Sequence, residues 1–381
     1  MASRDYMHRL PDSHFSLSRP ASLSRRLHID VPLLILLLIL AGVGLVVLYS
    51  AAGADVHYVR RQSVFLVLAF GVMFVAAQIP LDFYRRWSPW LYVGGCCLLV
   101  AVLFAGVGAK GAQRWLAVGG FRFQPSEALK LAVPMSVAAF LHGRNLPPSI
   151  FTVIGALAIV CVPAALIVRQ PDLGTAILIA ASGLFALYLA GLSWKLIGGA
   201  LLALGVSAWP IWEWGLRDYQ RQRILTLVNP DADRLGAGWN IFQSKAAIGS
   251  GGLLGKGYMQ GTQSQLDFLP ESHTDFIIAV LSEEWGMRGA MLLLILYVLI
   301  IARGIYISFT AQTVFGRLLA GSITLTFFVY VFVNIGMVSG LLPVVGVPLP
   351  LVSYGGTSAI TLMAGFGILM AIGTERRRVT F

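Results

Sequence analysis

Charged residues are scarce in this sequence. Only 12% of its 381 residues are Asp, Glu, Lys or Arg, whereas 57% are hydrophobic and the mean hydropathy is +0.79. An ordinary soluble domain has about 25% charged residues, so this chain lacks the charge needed to cover a water-soluble globule. The composition therefore predicts an integral membrane protein. The apolar residues form long runs, not ~10-residue alternating segments, which excludes an outer-membrane β-barrel.

Cysteine is also rare. Cys96, Cys97 and Cys161 all lie within apolar runs, and adjacent cysteines do not readily pair with each other. The sequence has no disulfide framework and no zinc-ligand spacing.

Complete nucleotide-binding motifs are missing as well. The glycine-rich stretch Gly249–Gly261 resembles a phosphate loop only superficially. A Walker motif would need glycine at Ser250 and Ser or Thr at Gly257, and a dinucleotide fingerprint would need glycine at Leu254. We interpret the stretch as a flexible, lid-like loop.

Long apolar runs are what the chain has in abundance. A membrane-spanning helix needs about 20 predominantly apolar residues. Ten such segments lie at about 31–52, 62–80, 89–107, 127–142, 149–168, 174–192, 196–212, 287–306, 316–338 and 358–373. The sequence thus predicts an all-α polytopic membrane protein with about ten transmembrane helices, the first retained and not cleaved as a signal peptide.

Four non-spanning regions complete the predicted organisation. Residues 1–28 form an N-terminal tail and residues 374–381 a C-terminal tail, on either side of a transmembrane domain at 29–373. A large loop at about 213–275 separates the seventh and eighth helices, and residues 275–286 form a short helical, re-entrant lead-in to the eighth.

We interpret the net charge of +11 as a consequence of how the chain is oriented in the membrane. With the N-terminus inside, fourteen Lys and Arg residues fall in the inner segments and six in the short outer loops. This bias predicts a multi-pass membrane protein with both termini cytoplasmic. The polar segments 108–126, 169–175, 213–275 and 339–357 then lie on the outer face, which disfavours ATP as a cofactor.

The first candidate site lies between Lys110 and Lys130. Its aromatic and basic residues suit the headgroup layer of a membrane. Pro125 can start a helix in which Glu127 and Lys130, at i and i+3, share one face. Charges at this depth are costly and should face protein or a water-filled cavity. The sequence allows two interpretations of Glu127 and Lys130: a pair with a function in the site, or a structural ion pair.

The second candidate lies between Leu269 and Glu284. Glu271, His273 and Asp275 crowd one membrane-edge site, where a carboxylate can act as a general base or as a metal ligand. His273 fits a hydrogen-bonding neighbour better than a catalyst. The alternative is helix capping by Ser272 or Thr274, with Asp275 as a first-turn carboxylate.

A string of cations follows the seventh segment, comprising Arg217, Arg221, Arg223, Lys245 and Lys256. Outside the cytoplasm such cations suit the phosphates of a lipid-linked substrate, and a solvated loop is the alternative. Nucleic acid is not expected as a partner on that face.

Prolines and glycines interrupt the helical pattern between Asn334 and Ser358. They predict a shaped outer loop that either lines a cavity or forms a structural kink.

Several of these segments together resemble the SEDS family of bacterial cell-wall glycosyltransferases. The motifs that carry the resemblance are QRW at 113–115, QPSEALK at 124–130, QPDLGTA at 170–176, LPESHTDFIIAVLSEEWG at 269–286 and NIGMVSGLLPVVGVPLPLVSYGGTS at 334–358. The match covers nearly the whole chain beyond its N-terminal tail. The sequence of the last motif is more similar to the elongation member of the family than to the division member.

The resemblance implies a ten-helix enzyme of the bacterial inner membrane with its active site on the periplasmic face. It implies that this enzyme polymerises lipid II into glycan strands and releases undecaprenyl pyrophosphate. It implies a class B penicillin-binding protein as transpeptidase partner, bound through transmembrane helices, together with other elongation-complex proteins and the lipid bilayer. It implies no organic cofactor, and Mg²⁺ or Mn²⁺ remains a candidate ion. The family's essential aspartate falls on Asp275 and its intramembrane polar pair on Glu127 and Lys130.

We therefore expect Asp275, Glu127 and Lys130 to be catalytic. The expected substrate-binding residues are Arg114, Trp115, Arg122, Gln124, Ser126, His273, Arg217, Arg221 and Arg223. A flippase would use the same cavity but would only redistribute lipid II. A scaffold would tolerate loss of Asp275.

Overall fold

The computed structural model describes residues 27–109, 112–118, 121–216, 218–228, 237–265, 269 and 271–375. Most of the two predicted tails lies outside these residues. The helices are α1 Val31–Ala51, α2 Val56–Gln78, α3 Leu81–Ala105, α4 Pro125–Leu141, α5 Ile150–Arg169, α6 Leu173–Leu189, α7 Trp194–Pro210, α8 Asp218–Val228, α9 Ala237–Gly251, α10 Thr262–Gln265, α11 Ile277–Thr310, α12 Val314–Val338 and α13 Gly356–Thr374.

Each of the ten predicted apolar segments coincides with a helix. Within the described residues, seven helices are long and apolar enough to cross a membrane: α1, α2, α3, α5, α11, α12 and α13. Helix α6 is apolar but shorter. The helical, polytopic membrane fold is confirmed, whereas the count of ten spans stays a prediction.

Short polar side chains define where several helices begin. Asp30 accepts a hydrogen bond from the Leu33 amide at the start of α1, and Asp172 accepts one from the Thr175 amide at the start of α6. Asp30 also binds Arg303 of α11, with 2.7 Å between its carboxylate and the guanidinium. One carboxylate therefore caps α1 and fastens it to α11.

The outer segment between α3 and α4 forms a small antiparallel sheet. Its strands are β1 Val107–Ala109, β2 Ala112–Val118 and β3 Phe121–Phe123, in the order β1-β2-β3. Trp115 of β2 lies opposite Val107, and Leu116 lies opposite Phe123. The sheet joins the end of α3 to the start of α4, so β2 carries Arg114 and Trp115 close to that start.

Helices α4 and α12 lie in the middle of the bundle. Thirteen of the 17 residues of α4 are buried, and α12 packs against α4, α6 and α11. Glu127 and Lys130 of α4 and Asn334 of α12 are therefore buried in protein and do not face lipid, as the cost of charge and polarity in a bilayer requires.

Helix α11 is broken near its start. Gly286 has φ +67° and ψ −163°, and it divides a buried leading helix (277–285) from the main part of α11. The predicted helical lead-in is therefore present. A side chain at Gly286 would place its Cβ 2.4 Å from the Gly255 nitrogen, so glycine is required there.

The glycine-rich stretch wraps around this break, and the lid-like interpretation is wrong. The amides of Lys256 and Gly257 donate to the carbonyl oxygens of Glu283 and Glu284, each at 3.0 Å, and the Met287 amide donates to Gly252 at 2.9 Å. Gly251 and Gly255 allow this close backbone contact, because a Cβ there would lie 2.0 Å from the Ser282 carbonyl oxygen and 2.1 Å from the Glu284 carbonyl oxygen, respectively.

Tyr258 secures the same stretch to α1 by donating to the Val46 carbonyl at 3.0 Å. Partial burial, followed by the nearby Glu284 carboxylate, raises the pKa of Tyr258. The phenol therefore stays protonated and remains a donor.

Candidate active site

Glu127 and Lys130 form a buried ion pair in the first turns of α4. The helix begins at Pro125, and their i, i+3 spacing brings the Lys130 ammonium to 2.6 Å from Glu127 Oε1. Only 6% of Glu127 and 8% of Lys130 are exposed. Because removing one partner of such a pair leaves a buried charge, the two residues depend on each other.

Tyr330 of α12 lies beside this pair and was not anticipated from the sequence. The Lys130 ammonium is 5.1 Å from the centre of the Tyr330 ring, a cation–π distance. The Tyr330 hydroxyl is buried and interacts with the Lys130 side chain, whereas Glu127 Oε2 is buried without a hydrogen-bond partner among the described residues. No local pattern marks one tyrosine on an apolar helix as a site residue.

Asp172, at the start of α6, forms a second polar cluster that the sequence analysis did not single out. Its carboxylate accepts from the Thr175 hydroxyl at 2.9 Å and from the Gln124 amide group at 3.3 Å, and lies 3.8 Å from Arg114 Nε. Arg114 also donates to the Pro171 carbonyl at 2.6 Å. Asp172 lies three residues before Thr175, and this spacing is a helix-capping signal from which Asp172 could have been identified in the sequence.

These clusters border one cavity of about 210 Å³. Its walls are Arg114, Trp115, Gln124, Glu127, Lys130, Asp172, Thr175, Leu178, Tyr330, Gly346, Val347, Pro348, Gly355, Thr357 and Ser358. Four of the sequence motifs therefore meet in one place. The cavity is far larger than the about 10–15 Å³ that one water requires. The formal charges of its two cations, Arg114 and Lys130, and its two carboxylates, Glu127 and Asp172, sum to zero.

Asp275 lies at the edge of this cavity. Its Oδ2 is 3.4 Å from where a Cβ on Gly346 would stand, and Gly346 (φ +72°) is part of the cavity wall. Asn334, completely buried, donates its side-chain amide to the carbonyl oxygens of Asp275 and Val347. Asp275 itself is partly exposed, so it can meet a substrate.

The structure does not support the capping alternative. Helix α11 begins after Phe276, and its N-cap makes no side-chain hydrogen bond. The Thr274 hydroxyl donates to the Glu271 carboxylate at 2.8 Å, and the Ser272 hydroxyl donates to the Ala51 carbonyl at 3.0 Å.

His273 packs outside the cavity wall. Its ring centre lies 5.0 Å from that of Tyr58, and its carbonyl accepts from the Tyr354 amide at 3.0 Å. Ser126 is buried and does not line the cavity either. Of the expected substrate-binding residues, the structure gathers Arg114, Trp115 and Gln124 around Glu127 and Lys130.

The described cations of the large loop lie away from the cavity wall. Arg221 donates to the Glu213 carbonyl at 2.5 Å, and Lys256 binds the fully buried Glu283 at 2.6 Å. Arg223 also has an interaction partner and is not part of the wall. Arg217 and the side chain of Arg122 lie outside the described residues, so their predicted contacts stay predictions.

No three His, Cys, Asp or Glu side chains in the described part of the chain converge as a metal-ligand set. The candidate ion, Mg²⁺ or Mn²⁺, therefore has no ligand set of three such side chains among these residues.

A helical membrane bundle with a buried polar cavity, and a carboxylate at its edge, defines a polytopic membrane protein with a polar site among its helices. Comparison with known proteins narrows this class. The family model for FtsW, RodA and SpoVE, described as "cell cycle protein", matches residues 31–378. The chain belongs to this family and is a glycosyltransferase.

Two curated relatives illustrate the similarity. The peptidoglycan glycosyltransferase MrdB of Escherichia coli K12 is 53% identical over 355 residues, which are 93% of this chain and 96% of the relative. A probable peptidoglycan glycosyltransferase FtsW from Geobacter sulfurreducens is 35% identical over 360 residues, with 91% and 95% covered.

Solved structures agree in fold. A peptidoglycan synthase complex that coordinates polymerization and crosslinking contains a chain with a TM-score of 0.80 and 31% identity. The rod shape determining protein RodA of Thermus thermophilus gives a TM-score of 0.70 and 28% identity. Each alignment covers 92% of this chain and 98% of the other.

Proposed function

We propose that this protein polymerises lipid II into the glycan strands of peptidoglycan and releases undecaprenyl pyrophosphate during cell elongation. The observation that carries the proposal is the cavity that joins the segments at 113–130, 170–176 and 334–358, with Asp275 at its edge. The greater identity to MrdB than to FtsW supports the elongation role.

In the proposed reaction, the 4-hydroxyl of the GlcNAc of an incoming lipid II attacks the anomeric carbon of the growing strand. The bond from that carbon to the diphosphate breaks, its electron pair leaves with the diphosphate, and the carbon inverts. Asp275 accepts the hydroxyl proton. Its carboxylate suits this role because it is partly exposed while Asn334 fixes its backbone.

Glu127 and Lys130 act as a unit in this proposal. Glu127 holds the ammonium in place at 2.6 Å, and Lys130 supplies a cation to the developing negative charge. Trp115 and Gln124 contribute an aromatic surface and an amide to the same wall, which suits a sugar ring.

The cavity is proposed to lie on the periplasmic face of the inner membrane, with both termini cytoplasmic. The Lys and Arg bias places four polar segments on the outer face, and three of them, 108–126, 169–175 and 339–357, contribute residues to this cavity. Their meeting in one cavity agrees with all three lying on the same face of the membrane. A class B penicillin-binding protein is the proposed partner, since a related chain occurs in a complex that coordinates polymerization and crosslinking.

The test is a gel of the products made from lipid II by the purified protein, with and without this partner. Wild-type protein should give glycan polymer, and Asp275→Asn should give almost none, since loss of a positioned base costs about 10²–10⁴ in rate. Asp55→Asn is the matched control: Asp55 caps α2 by accepting from the His57 amide, and asparagine can do the same.

Each alternative function predicts a different result. Redistribution of lipid II without polymer would identify a flippase. Normal polymer from well-folded Asp275→Asn would remove Asp275 as the base, and a scaffold would assemble normally without any product.

A further inference from the structure

The cavity beside Asp275 is too small to hold both reacting molecules. Its volume is about 210 Å³, whereas a pocket for one drug-sized ligand is about 300–1,000 Å³. A disaccharide carried on a diphosphate is a ligand of at least this size, and the proposed reaction joins two of them. Because Asp275 lies at the edge of the cavity, part of the reacting pair must extend past Asp275 and beyond the cavity wall.

Three aromatic rings meet just outside this wall. They belong to Tyr58 of α2, His273 of the turn before α11 and Tyr354 of the loop before α13, and together they form the aromatic cluster. The ring centre of Tyr58 lies 5.0 Å from that of His273 and 5.4 Å from that of Tyr354, and the last two are 6.2 Å apart. All three residues are partly exposed, so one ligand can contact all of them.

The polar atoms of the aromatic cluster are available to a ligand. Within the described part of the chain, neither tyrosine hydroxyl and neither nitrogen of the His273 ring makes a hydrogen bond, and these atoms are open to solvent. An aromatic side chain with a polar group combines an apolar ring with a hydrogen-bonding end. A sugar ring presents the matching surfaces, which are C–H groups on its face and hydroxyls at its edge.

The aromatic cluster is continuous with the edge of the cavity. The Tyr354 amide donates to the His273 carbonyl at 3.0 Å, and Gly355, the next residue after Tyr354, lines the cavity. Asp275 follows His273 by two residues, which span at most about 7 Å of chain. A sugar on the aromatic cluster therefore lies beside the Asp275 carboxylate.

The backbone that carries the aromatic cluster is held in place before any ligand arrives. Gln62, which lies one turn after Tyr58 on α2 and is 1% exposed, donates to the Ser353 carbonyl and accepts from the Gly355 amide, each at 3.3 Å. These two hydrogen bonds flank Tyr354 on both sides. A site that is already ordered binds its ligand with a smaller loss of entropy.

Membrane-surface aromatic residues are the alternative explanation, since Tyr and Trp gather at the headgroup layer. The surroundings of the aromatic cluster favour a sugar instead. Glu271, Thr274 and Asp275 lie in the same turn as His273, and all three are partly exposed. Carboxylates and a hydroxyl beside aromatic rings suit sugar hydroxyls and do not suit an acyl chain.

We propose that the aromatic cluster binds the GlcNAc ring of the acceptor, so that its 4-hydroxyl reaches Asp275 from outside while the diphosphate of the donor occupies the cavity. This assignment rests on the proposed function and places its two substrates on opposite sides of Asp275. Tyr58 and Tyr354 supply ring surface, and His273 supplies a ring nitrogen to a sugar hydroxyl. His273 is then a substrate-binding residue that acts outside the cavity.

The experiment measures how two probes, each a part of lipid II, bind to the purified full-length protein. The lipid-free disaccharide pentapeptide has the sugars without the diphosphate, and undecaprenyl pyrophosphate has the diphosphate without the sugars. Tyr58→Leu and Tyr354→Leu should each weaken disaccharide binding about 3- to 10-fold, because each removes one aromatic contact. Binding of undecaprenyl pyrophosphate should be unchanged in both variants.

Two further variants serve as controls. Tyr58→Phe keeps the ring and should lose less disaccharide affinity than Tyr58→Leu. Tyr188→Leu is the matched control, because Tyr188 of α6 is also exposed and makes an edge-on aromatic contact with Trp194, at 6.4 Å, but lies far along α6 from Asp172. This variant should bind both probes as the wild type does.

Four results would overturn the assignment. These are a wild type that does not bind the disaccharide, wild-type disaccharide affinity in both folded leucine variants, equal weakening for both probes, and the same loss in Tyr188→Leu. The outcome is separable from that of the proposed function. Polymer from the wild type with unchanged disaccharide affinity in the leucine variants refutes the aromatic cluster alone, whereas the expected losses in a protein that makes no polymer refute polymerisation alone.

Discussion

The side-chain amide of Asn334 donates to the backbone carbonyl of Asp275 at 2.9 Å, and its second hydrogen bond, at 2.7 Å, goes to the Val347 carbonyl. One buried residue of α12 thereby ties the turn that carries Asp275 to the loop that forms the cavity wall. Asn334 acts on the site through Asp275, which makes it a positioning residue.

We expect Asn334→Leu to lower the stability by about 3 kcal/mol, because two buried carbonyl groups lose their donor. The polymerisation rate of the folded protein should fall at least about ten-fold, since Asp275 is no longer held in place. Thermal unfolding in detergent and the rate per folded molecule measure the two effects separately.

Tyr297→Phe is the control for this prediction. The Tyr297 hydroxyl donates to the Pro350 carbonyl at 2.7 Å, so this variant also loses a buried hydrogen bond. It should lose about 1 kcal/mol and keep its rate per folded molecule. An unaltered rate in folded Asn334→Leu would show that Asn334 serves stability alone.

The Glu127–Lys130 pair gives a second prediction. Glu127→Gln and Lys130→Met should each abolish polymerisation and destabilise the protein by about 3–5 kcal/mol, because each leaves one buried charge unpaired. The double variant should recover much of the stability while staying inactive. Recovery of polymer in the double variant would make the pair purely structural.

The break in α11 gives a third prediction. Gly286→Ala should destabilise the protein strongly, since the added Cβ would lie 2.4 Å from the Gly255 nitrogen at a positive φ. Gly249→Ala belongs to the same glycine-rich stretch but has open space around its Cβ, so it should be neutral or stabilising. Equal melting temperatures for the two variants would contradict the wrapped geometry.

Topology gives a fourth prediction. In a background without Cys96, Cys97 and Cys161, Gln260→Cys should react with an impermeant thiol reagent added to intact spheroplasts. Thr374→Cys should react only after the membrane is permeabilised. The reverse pattern would invert the membrane orientation and, with it, the proposed periplasmic site.

Local sequence signals predicted much of what the structure shows. Long apolar runs located the ten helices because burial in lipid requires continuous apolar stretches. The i, i+3 spacing of Glu127 and Lys130 predicted their contact, since a helix alone brings them together.

Contacts that depend on tertiary packing were not predictable in this way. Arg114 meets Pro171 and Asp172 across 57 and 58 residues of chain, and Tyr330 reaches Lys130 from a distant helix. The lid-like reading of Gly249–Gly261 failed for the same reason. Gly251 and Gly255 are needed because the backbone of the leading helix of α11, at Ser282 and Glu284, lies against them.

The break at Gly286 also matches α11 to the thickness of a bilayer. An unbroken helix of 34 residues would be about 51 Å long, far more than the ~30 Å hydrocarbon core. The part after the break has 24 residues and a length of about 36 Å, which spans the core with a modest tilt. The leading helix is instead buried within the protein, and Asp275, which directly precedes it, stays beside the cavity.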